Sequence, residues 1–199
     1  MGDQADQDYR KYASENPDCA MLLRMYDNAS FDRGRRKLVE FFWLVLDIIF
    51  VRSRVPGSLH RRLILRAFGA RIGERVLIKP GARIKFPWRL EIGDDSWIGE
   101  EVWIDNLASV KIGANCCISQ GVYICTGSHD WGKVTFDLLV NPVTIEDGAW
   151  IAAQSAIGPG VQVGEGAVLS LGSVATSDLV AWGIYQGSPA SFVRQRQIR

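Results

Sequence analysis

The side chain in this sequence best suited to proton transfer is His129, one of only 2 histidines among 199 residues. It lies in the segment YICTGSHDWGK, residues 123–133, among small and polar residues. Imidazole titrates near neutral pH, so a histidine held beside a hydroxyl group can remove its proton as a general base. A lone histidine in a polar segment is also typical of a solvated turn. The position of His129 in the rest of the chain decides between these interpretations.

A six-residue repeat runs through the chain from Ile72 onward. Its lead residue is Ile, Val or Leu, and four positions later comes a small or β-branched residue in nearly every case. The lead residues occupy positions 72, 78, 84, 92, 98, 104, 112, 118, 124, 145, 151, 157, 163 and 169. Each hexad fits a short strand and a turn, three hexads make one triangular coil, and coils stack at about 4.8 Å. The repeat therefore predicts an all-β fold, a parallel β-helix of about five coils.

The repeat slips at one corner of these predicted coils. In the first two coils, two extra residues (90–91 and 110–111) precede the next lead residue. In the third coil the equivalent pair, 143–144, is delayed by residues 130–142. His129 lies at the base of this insertion. Since a rigid scaffold beside a single long loop is well suited to build a site, we predict that His129 is functional.

The charge and the metal-ligand types exclude two function classes. Lys and Arg number 23 against 22 Asp and Glu, a net charge of +1, so we expect no nucleic-acid partner. We predict no metal site, because a three-histidine zinc centre cannot be built from His129 and His60, which is expected to be a solvated helix residue. Cys116, Cys117 and Cys125 lack C-x-x-C spacing and are expected to be free thiols of a reducing compartment.

An apolar helix is predicted over residues 38–51. Glu40 and Asp47 share one narrow stripe of it, and the rest is almost entirely apolar. The apolar run is shorter than the roughly 20 residues that span a bilayer, and basic segments flank it on both sides. We favour packing of this helix against the domain or a neighbouring subunit. Attachment to a membrane surface through residues 38–51 is the alternative.

These patterns divide the chain into four segments. A polar N-terminal arm covers residues 1–30 and a helical segment residues 31–70. The β-helix domain covers residues 71–179, with an inserted active-site loop at 130–142, and a C-terminal tail follows over residues 180–199. The polar, acidic N-terminus has no signal-peptide pattern, so we expect a cytoplasmic protein, with a peripheral position at the inner face of the membrane as the alternative.

The hexads and the His129 segment together resemble the hexapeptide-repeat acyltransferases. CTGSHD is similar to the catalytic segment of the sugar acetyltransferases in that family, and GSPASFVRQR is similar to their terminal segment. The resemblance is closest to the colanic acid biosynthesis acetyltransferase subfamily, in FDRGRRKLVE, LILRAFGARIG, IKFPWRLEIGDDSWIGE, VWIDNLA and TFDL, and it covers about residues 31–194. It implies a left-handed β-helix and a homotrimer with each site between two subunits.

The resemblance also implies the reaction. An acetyl group would move from acetyl-CoA, the co-substrate, to a sugar hydroxyl in exopolysaccharide or surface polysaccharide biosynthesis, with His129 as general base. Something must hold the imidazole in one tautomer, and either Asp130 or a backbone carbonyl could do so. The backbone N–H of Ala153 would stabilise the oxyanion.

Further residues acquire expected roles from the same resemblance. Asp105, Asn106 and Trp131 would bind the acceptor, although the first two could instead form a turn. Trp131 and Phe136, the loop aromatics, could stack on a sugar ring or simply anchor the loop. Trp150, Ala153, Leu171, Thr176 and Arg194 would bind CoA, although Trp150 could simply pack on the exterior. Ser177 and Ser191 stand where Lys or Arg is common in the family, so nucleotide binding would either depend on Arg194, Arg196 and Arg199 or be weaker.

Three other functions are compatible with the same sequence. On the same fold, the chain could acetylate an antibiotic or the amine of a sugar nucleotide. It could also be a catalytically inactive trimeric scaffold. A carbonic anhydrase of the γ type is excluded, because it needs three histidine ligands.

Overall fold

The computed structural model describes residues 21–198, together with residues 7, 10, 11, 14 and 15. The chain forms two compact units, Met1–Asp32 with Ser128–Leu139, and Arg33–Gly127 with Val140–Arg199. The larger unit holds the repeat and the predicted helical segment, and the smaller unit holds His129.

The repeat forms three sheets. The first contains β1 (Arg71–Ile72), β4 (Leu90–Ile92), β7 (Val110–Ile112), β12 (Val143–Ile145) and β15 (Gln162–Val163). The second contains β2 (Leu77–Ile78), β5 (Trp97–Ile98), β8 (Cys117–Ile118), β13 (Trp150–Ile151), β16 (Val168–Leu169), β18 (Gly183–Gly187) and β19 (Ala190–Gln195). The third contains β3 (Arg83–Ile84), β6 (Trp103–Asp105), β9 (Tyr123–Cys125), β14 (Ala156–Ile157) and β17 (Val174–Ala175). The chain visits the three sheets in turn, completing five coils and beginning a sixth at β18, and the predicted parallel β-helix is confirmed.

The strand register reproduces the slips of the repeat. In the first sheet Ile72 pairs with Ile92 and Ile92 with Ile112, whereas Ile112 pairs with Ile145 across the insertion. Ile145 then pairs with Val163, with no extra residues between the hexads. The slips therefore lengthen individual coils and leave the inward-pointing column unbroken.

The interior of the β-helix is a column of aliphatic side chains. All the lead residues of the hexads are buried, and most are Ile. The glycine directly after a lead residue is required where neighbouring coils approach closely. A Cβ on Gly93, which follows Ile92, would lie 2.6 Å from the backbone nitrogen of Ala114. A Cβ on Gly99 would likewise lie 2.5 Å from the backbone nitrogen of Gln120.

The predicted helical segment contains α1 (Lys37–Leu46), a π-helical turn over Asp47–Val51, and α2 (Leu59–Ala67). Trp43, Asp47 and Val51 are buried against the coils, and the Trp43 indole N–H donates to the carbonyl oxygen of Ile84 at 3.1 Å. The acidic stripe faces the protein, since Arg52 pairs with Asp47 at 2.6 Å and Arg33 with Glu40 at 2.7 Å.

The apolar residues on the opposite side of α1 were expected to be buried, but they are exposed to solvent. Its large apolar side chains are exposed in this chain: Leu38, Phe41, Phe42, Leu44, Val45, Ile48, Ile49 and Phe50. The domain covers only one side of the helix, and that side is the one that carries the paired carboxylates. Packing against the domain therefore does not account for the apolar character of the segment.

A buried arginine fixes the turn between the two helices. The Arg61 guanidinium is fully buried and donates to the carbonyl oxygens of Val51, Ser53, Val55 and Gly57. One guanidinium group thus supplies the hydrogen-bond donors for four backbone carbonyls that have no partner in a helix or sheet.

The neighbouring His60, predicted to be solvated, is half-buried in α2. Its Nε2 is buried with no hydrogen-bond partner among the described residues. None of the helices in the described part of the chain is long and apolar enough to cross a membrane.

The insertion after the third coil contains a hairpin of β10 (Gly127–His129) and β11 (Leu138–Val140). In the smaller unit, a short 3₁₀ turn covers Leu23–Met25, and the backbone N–H of Leu22 donates to the carbonyl oxygen of Val134 at 3.0 Å. His129 therefore ends a strand, and the residues that follow it form the hairpin loop.

Candidate active site

The His129 imidazole is held by the backbone of its own loop. Its Nδ1 lies 2.8 Å from the carbonyl oxygen of Phe136. A carbonyl oxygen can only accept, so Nδ1 carries the proton in this hydrogen bond. Nε2 makes no hydrogen bond within the described residues, and in the neutral ring it carries the lone pair. This is the tautomer that a general base acting through Nε2 requires.

Two aromatic rings fix the plane of the imidazole. The Phe136 ring stacks on it with 4.1 Å between centroids and 2° between planes, and Tyr26 approaches edge-on at 5.4 Å. Phe136 has φ of +51°, a backbone conformation unusual for a bulky residue. The same residue therefore supplies both the carbonyl and the stacking ring. Of the roles weighed for Phe136, a sugar platform is not favoured, because its ring contacts the histidine.

Asp130, the other candidate partner of His129, is engaged within the loop. Its carboxylate accepts from the backbone N–H of Gly132 at 3.1 Å and lies 3.9 Å from the Lys133 ammonium. Lys133 also pairs with Asp137 at 3.0 Å, on the same loop. Of the two open alternatives, the geometry therefore favours the backbone carbonyl.

Trp131, predicted to contact the acceptor, lies at the tip of the loop and is 85% exposed. An indole exposed to this extent has no packing role in the smaller unit. It is available to stack on a ligand, and the acceptor-binding role of Trp131 stays a prediction.

In the larger unit, Asp105 belongs to a polar cluster at the corner between the third and first sheets. Lys85 pairs with its carboxylate at 3.1 Å, and the Tyr123 hydroxyl donates to it at 3.3 Å. Burial raises the pKa of the Tyr123 hydroxyl, and the adjacent Cys125 and Asp105 raise it further, so the phenol stays protonated. The sequence analysis did not predict roles for Lys85 and Tyr123. The repeat nevertheless places Lys85 beside Asp105 on the preceding strand, and Tyr123 beside Trp103 on the following strand.

Asn106, the neighbour of Asp105, is fully buried. Its Oδ1 accepts from the backbone N–H of Phe86 at 2.9 Å and its Nδ2 donates to the Phe86 carbonyl at 2.7 Å. Both ends of the amide are thus used between successive coils. This geometry favours a structural role for Asn106 and leaves Asp105 as the better placed of the pair to meet a ligand.

Ala153 and Leu171 lie one above the other at the corner between the second and third sheets. The N–H of Gly172 donates to the Ala153 carbonyl at 3.0 Å, and the Leu171 side chain is exposed. The Ala153 N–H has no partner among the described residues, so it is available as a donor. The equivalent amides of Gln120 and Glu100 in the coils below are also unpaired there, so the property belongs to the corner as a whole.

Trp150 and Arg194 share a row across the second sheet. Trp150 is in register with Val168, Val168 with Ile184, and Ile184 with Arg194. Three strand spacings separate the two ends of this row, about 14 Å. Both end side chains are exposed.

The Trp150 indole points toward a groove on the same sheet. Its N–H donates to the Ser119 hydroxyl at 3.0 Å. Ser119 lines a cavity of about 440 Å³ together with Trp97, Lys79 and Cys117. Glu100 lines the same cavity, so the groove combines an apolar floor with one cationic and one anionic side chain, which suits a ligand with an apolar arm and a polar end.

Thr176 lies apart from the other predicted CoA residues. It follows β17 at the corner between the third and first sheets, where it is exposed beside Ser177. Arg196 is engaged elsewhere, since its guanidinium donates to the carbonyls of Gly148 and Gly166 at 2.9 and 2.8 Å. Arg199 lies outside the described residues. Arg194 is therefore the exposed arginine of this end that remains for an anionic ligand.

The described residues contain no group of three or more His, Cys, Asp or Glu that could hold a metal ion. Three cysteines are described, and all three are free thiols. Cys116 is buried, and burial raises the pKa of its thiol, which makes it a poor nucleophile.

Comparison with known proteins supports one family. Residues 89–125 and 142–177 match the family model described as the hexapeptide repeat of succinyl-transferase. A relative from Escherichia coli K12 carries the name colanic acid biosynthesis acetyltransferase WcaF. It is 37% identical to this chain over 166 residues, which cover 83% of this chain and 91% of WcaF. The chain belongs to the hexapeptide-repeat acetyltransferases.

More distant members agree on the fold of this hexapeptide-repeat acetyltransferase. Galactoside O-acetyltransferase of E. coli K12 is 26% identical over 147 residues, covering 70% of this chain and 71% of that protein. A hexapeptide-repeat acetyltransferase of Vibrio cholerae, solved in complex with acetyl-CoA, superposes with a TM-score of 0.76 at 22% identity, covering 88% of this chain and 97% of that one. The fold is the left-handed parallel β-helix of these enzymes.

Proposed function

We propose that this acetyltransferase transfers an acetyl group from acetyl-CoA to a sugar hydroxyl in polysaccharide biosynthesis, with His129 as general base. The observation that carries the proposal is the hydrogen bond from Nδ1 of His129 to the Phe136 carbonyl. In the neutral imidazole this hydrogen bond places the lone pair on Nε2, and stacking fixes the ring plane, which are the two requirements for a positioned base.

The reaction then proceeds in two proton-coupled steps. Nε2 removes the proton of the acceptor hydroxyl while the oxygen attacks the thioester carbonyl of acetyl-CoA. The resulting tetrahedral intermediate collapses with cleavage of the C–S bond, and the imidazolium returns the proton to the departing thiolate. Positive charge forms on the ring in the first step, and the Phe136 carbonyl dipole stabilises it through Nδ1–H.

The remaining residues serve binding in this proposal. The free N–H of Ala153 donates to the oxyanion, and Asp105 with its partner Lys85 contacts acceptor hydroxyls. Trp131 stacks on a sugar face. The row from Trp150 to Arg194 takes CoA, with the arginine on a phosphate.

The active enzyme is a homotrimer in this proposal. Asp105 and Thr176 lie at the corner between the third and first sheets, whereas Ala153 and Leu171 lie at the corner between the second and third. Two corners of one prism face different directions, so a single copy cannot bring both sets onto one ligand. A neighbouring copy that supplies the second set completes the site.

The acceptor is a sugar of a surface polysaccharide. The names of WcaF and of the galactoside O-acetyltransferase support a saccharide acceptor and O-acetylation. Peripheral contact with the membrane through residues 38–51 accompanies this proposal, because the outer side of α1 is apolar and uncovered in the chain.

The proposal is tested by measuring free-thiol release from acetyl-CoA with a panel of hexoses, nucleotide sugars, amino sugars and polysaccharide fragments. We expect turnover that depends on a hydroxyl acceptor and yields an acetyl ester. Turnover with an amine acceptor alone would refute O-acetylation in favour of N-acetylation. Absence of both turnover and acetyl-CoA binding would refute the enzyme and favour a scaffold.

A further inference from the structure

The outer face of α1 and the π-helical turn is an apolar surface of a kind that proteins rarely leave open to water. This face consists of Leu38, Phe41, Phe42, Leu44, Val45, Ile48, Ile49 and Phe50, all exposed. Isolated exposed apolar residues are normal, but eight large ones on one helical segment form a contiguous patch. Such a patch marks a surface that another molecule or a membrane covers.

The patch is fixed in its outward orientation. Trp43 is anchored to the carbonyl of Ile84, and Val51 is fully buried. The turn that follows is locked by the four carbonyl contacts of Arg61. Turning the apolar face inward would expose Trp43 and Val51 and break the Asp47–Arg52 pair, so this segment cannot bury the face against the described coils.

Cationic side chains flank the patch at both of its ends. Arg35, Arg36 and Lys37 lie at its N-terminal end and Arg52 and Arg54 at its C-terminal end, all of them exposed. Between positions 33 and 54 there are six Lys or Arg and two carboxylates, and both carboxylates turn inward onto arginines. A chain with a net charge of +1 thus concentrates positive charge at the two ends of this apolar face.

This combination matches an anionic bilayer surface. We propose that residues 37–51 lie in the plane of a membrane that contains anionic phospholipids, with the eight apolar side chains among the acyl chains and the flanking cations at the phosphates. At 1.5 Å per residue the segment is about 20 Å long, too short to cross the hydrocarbon core but typical of an interfacial helix. Each cation near such a surface strengthens binding by roughly fivefold.

A second copy of the chain fits the face less well. Antiparallel pairing of two such helices would place residues 35–37 of one against Arg52 and Arg54 of the other, and parallel pairing would place like ends together. Either arrangement brings cations against cations beside the buried apolar contact. The inference deepens the proposed function, because an enzyme bound to the membrane surface would meet lipid-linked saccharides. The experiment below measures lipid binding alone.

The experiment is vesicle sedimentation of the full chain with phosphatidylcholine, and with phosphatidylcholine mixed with phosphatidylglycerol, at low and high salt. We expect the wild type to sediment with the mixed vesicles, less with phosphatidylcholine alone, and less at high salt. The double variant Phe42→Gln/Ile49→Gln should bind at least about tenfold more weakly. The variant Arg35→Gln/Arg36→Gln/Lys37→Gln should lose affinity for the mixed vesicles selectively. Val180→Gln, at an exposed apolar residue outside this face, is the matched control and should bind as the wild type.

Two results would overturn the inference. One is a wild type that stays in the supernatant with the mixed vesicles at low salt. The other is a Phe42→Gln/Ile49→Gln variant that keeps its circular dichroism but dissociates a larger assembly into single chains, since the face would then join copies. Acetyl transfer to a soluble acceptor, measured in parallel, separates a failure of this inference from a failure of the proposed reaction.

Discussion

Nδ1 of His129 donates to the carbonyl oxygen of Phe136 at 2.8 Å, and the ring of the same Phe136 stacks on the imidazole. One residue thus determines both the tautomer and the plane of the proposed base. The tautomer of a histidine is set by the hydrogen bond that one ring nitrogen makes, often to a carboxylate or a backbone carbonyl. Here the orienting group lies seven positions further along the same loop.

The stacking ring can be tested separately from the carbonyl. Phe136→Gly keeps the carbonyl and tolerates the φ of +51°, but removes the ring. We expect kcat to fall roughly tenfold through looser positioning, with the KM for acetyl-CoA and the pH profile unchanged. Phe136→Tyr retains the ring and should behave as the wild type. A Phe136→Gly enzyme with wild-type kcat would show that the ring does not position His129.

The adjacent residues Asp105 and Asn106 should separate into a ligand-binding and a structural residue. Asn106→Ala leaves the Phe86 N–H and carbonyl unpaired in the core, so we expect a loss of about 1–3 kcal/mol in the free energy of unfolding. Asp105→Asn should raise the KM for the acceptor and change thermal stability little. Chemical denaturation and steady-state kinetics on both variants test this. The opposite pattern would contradict our assignment.

Asp47 should make stability depend on pH. Burial raises the pKa of this carboxyl to about 6, against the partial opposition of Arg52. Because the pKa is higher in the folded than in the unfolded chain, the folded state holds the extra proton between about pH 4 and 6, and stability falls as pH rises through that window. The loss reaches on the order of 2–3 kcal/mol above pH 6.

The matched variant for that effect is Asp47→Asn, which has a similar shape and no titration. Its free energy of unfolding relative to the wild type should rise between about pH 4 and 7, as measured by urea denaturation at each pH. Parallel curves for the two proteins over this range would contradict the raised pKa.

Close approach between coils should make some glycines irreplaceable for a steric reason. A Cβ on Gly93 meets the backbone of Ala114 at 2.6 Å, so Gly93→Ala should cost about 3 kcal/mol or more. Gly172 has φ of +66°, and a Cβ added there would meet no atom within 4 Å, so Gly172→Ala should cost only the local backbone strain, about 1–2 kcal/mol. Equal losses in thermal unfolding would indicate that conformation, not contact, governs both sites.

The coils follow closely from the sequence because each hexad repeats the same steric requirement. A branched residue inward and a glycine or small residue at each corner leave little freedom, so the repeat alone aligns Ile112 with Ile145 across the insertion. The Phe136 carbonyl could not be predicted, since every residue carries a carbonyl and its direction depends on the loop conformation. The surroundings of α1 were predicted only in part for a related reason. Hydrophobicity predicts that its apolar side is covered, but the described residues cover only the side that carries Trp43, Asp47 and Val51.

The role of His129 as the base is tested by the kcat of acetyl transfer for His129→Ala beside His60→Ala, a matched removal of the other histidine. General-base catalysis predicts a fall of about 10²–10⁴-fold in kcat for His129→Ala, with acetyl-CoA binding retained, and no such fall for His60→Ala. Wild-type kcat in His129→Ala would contradict the account and place the base elsewhere.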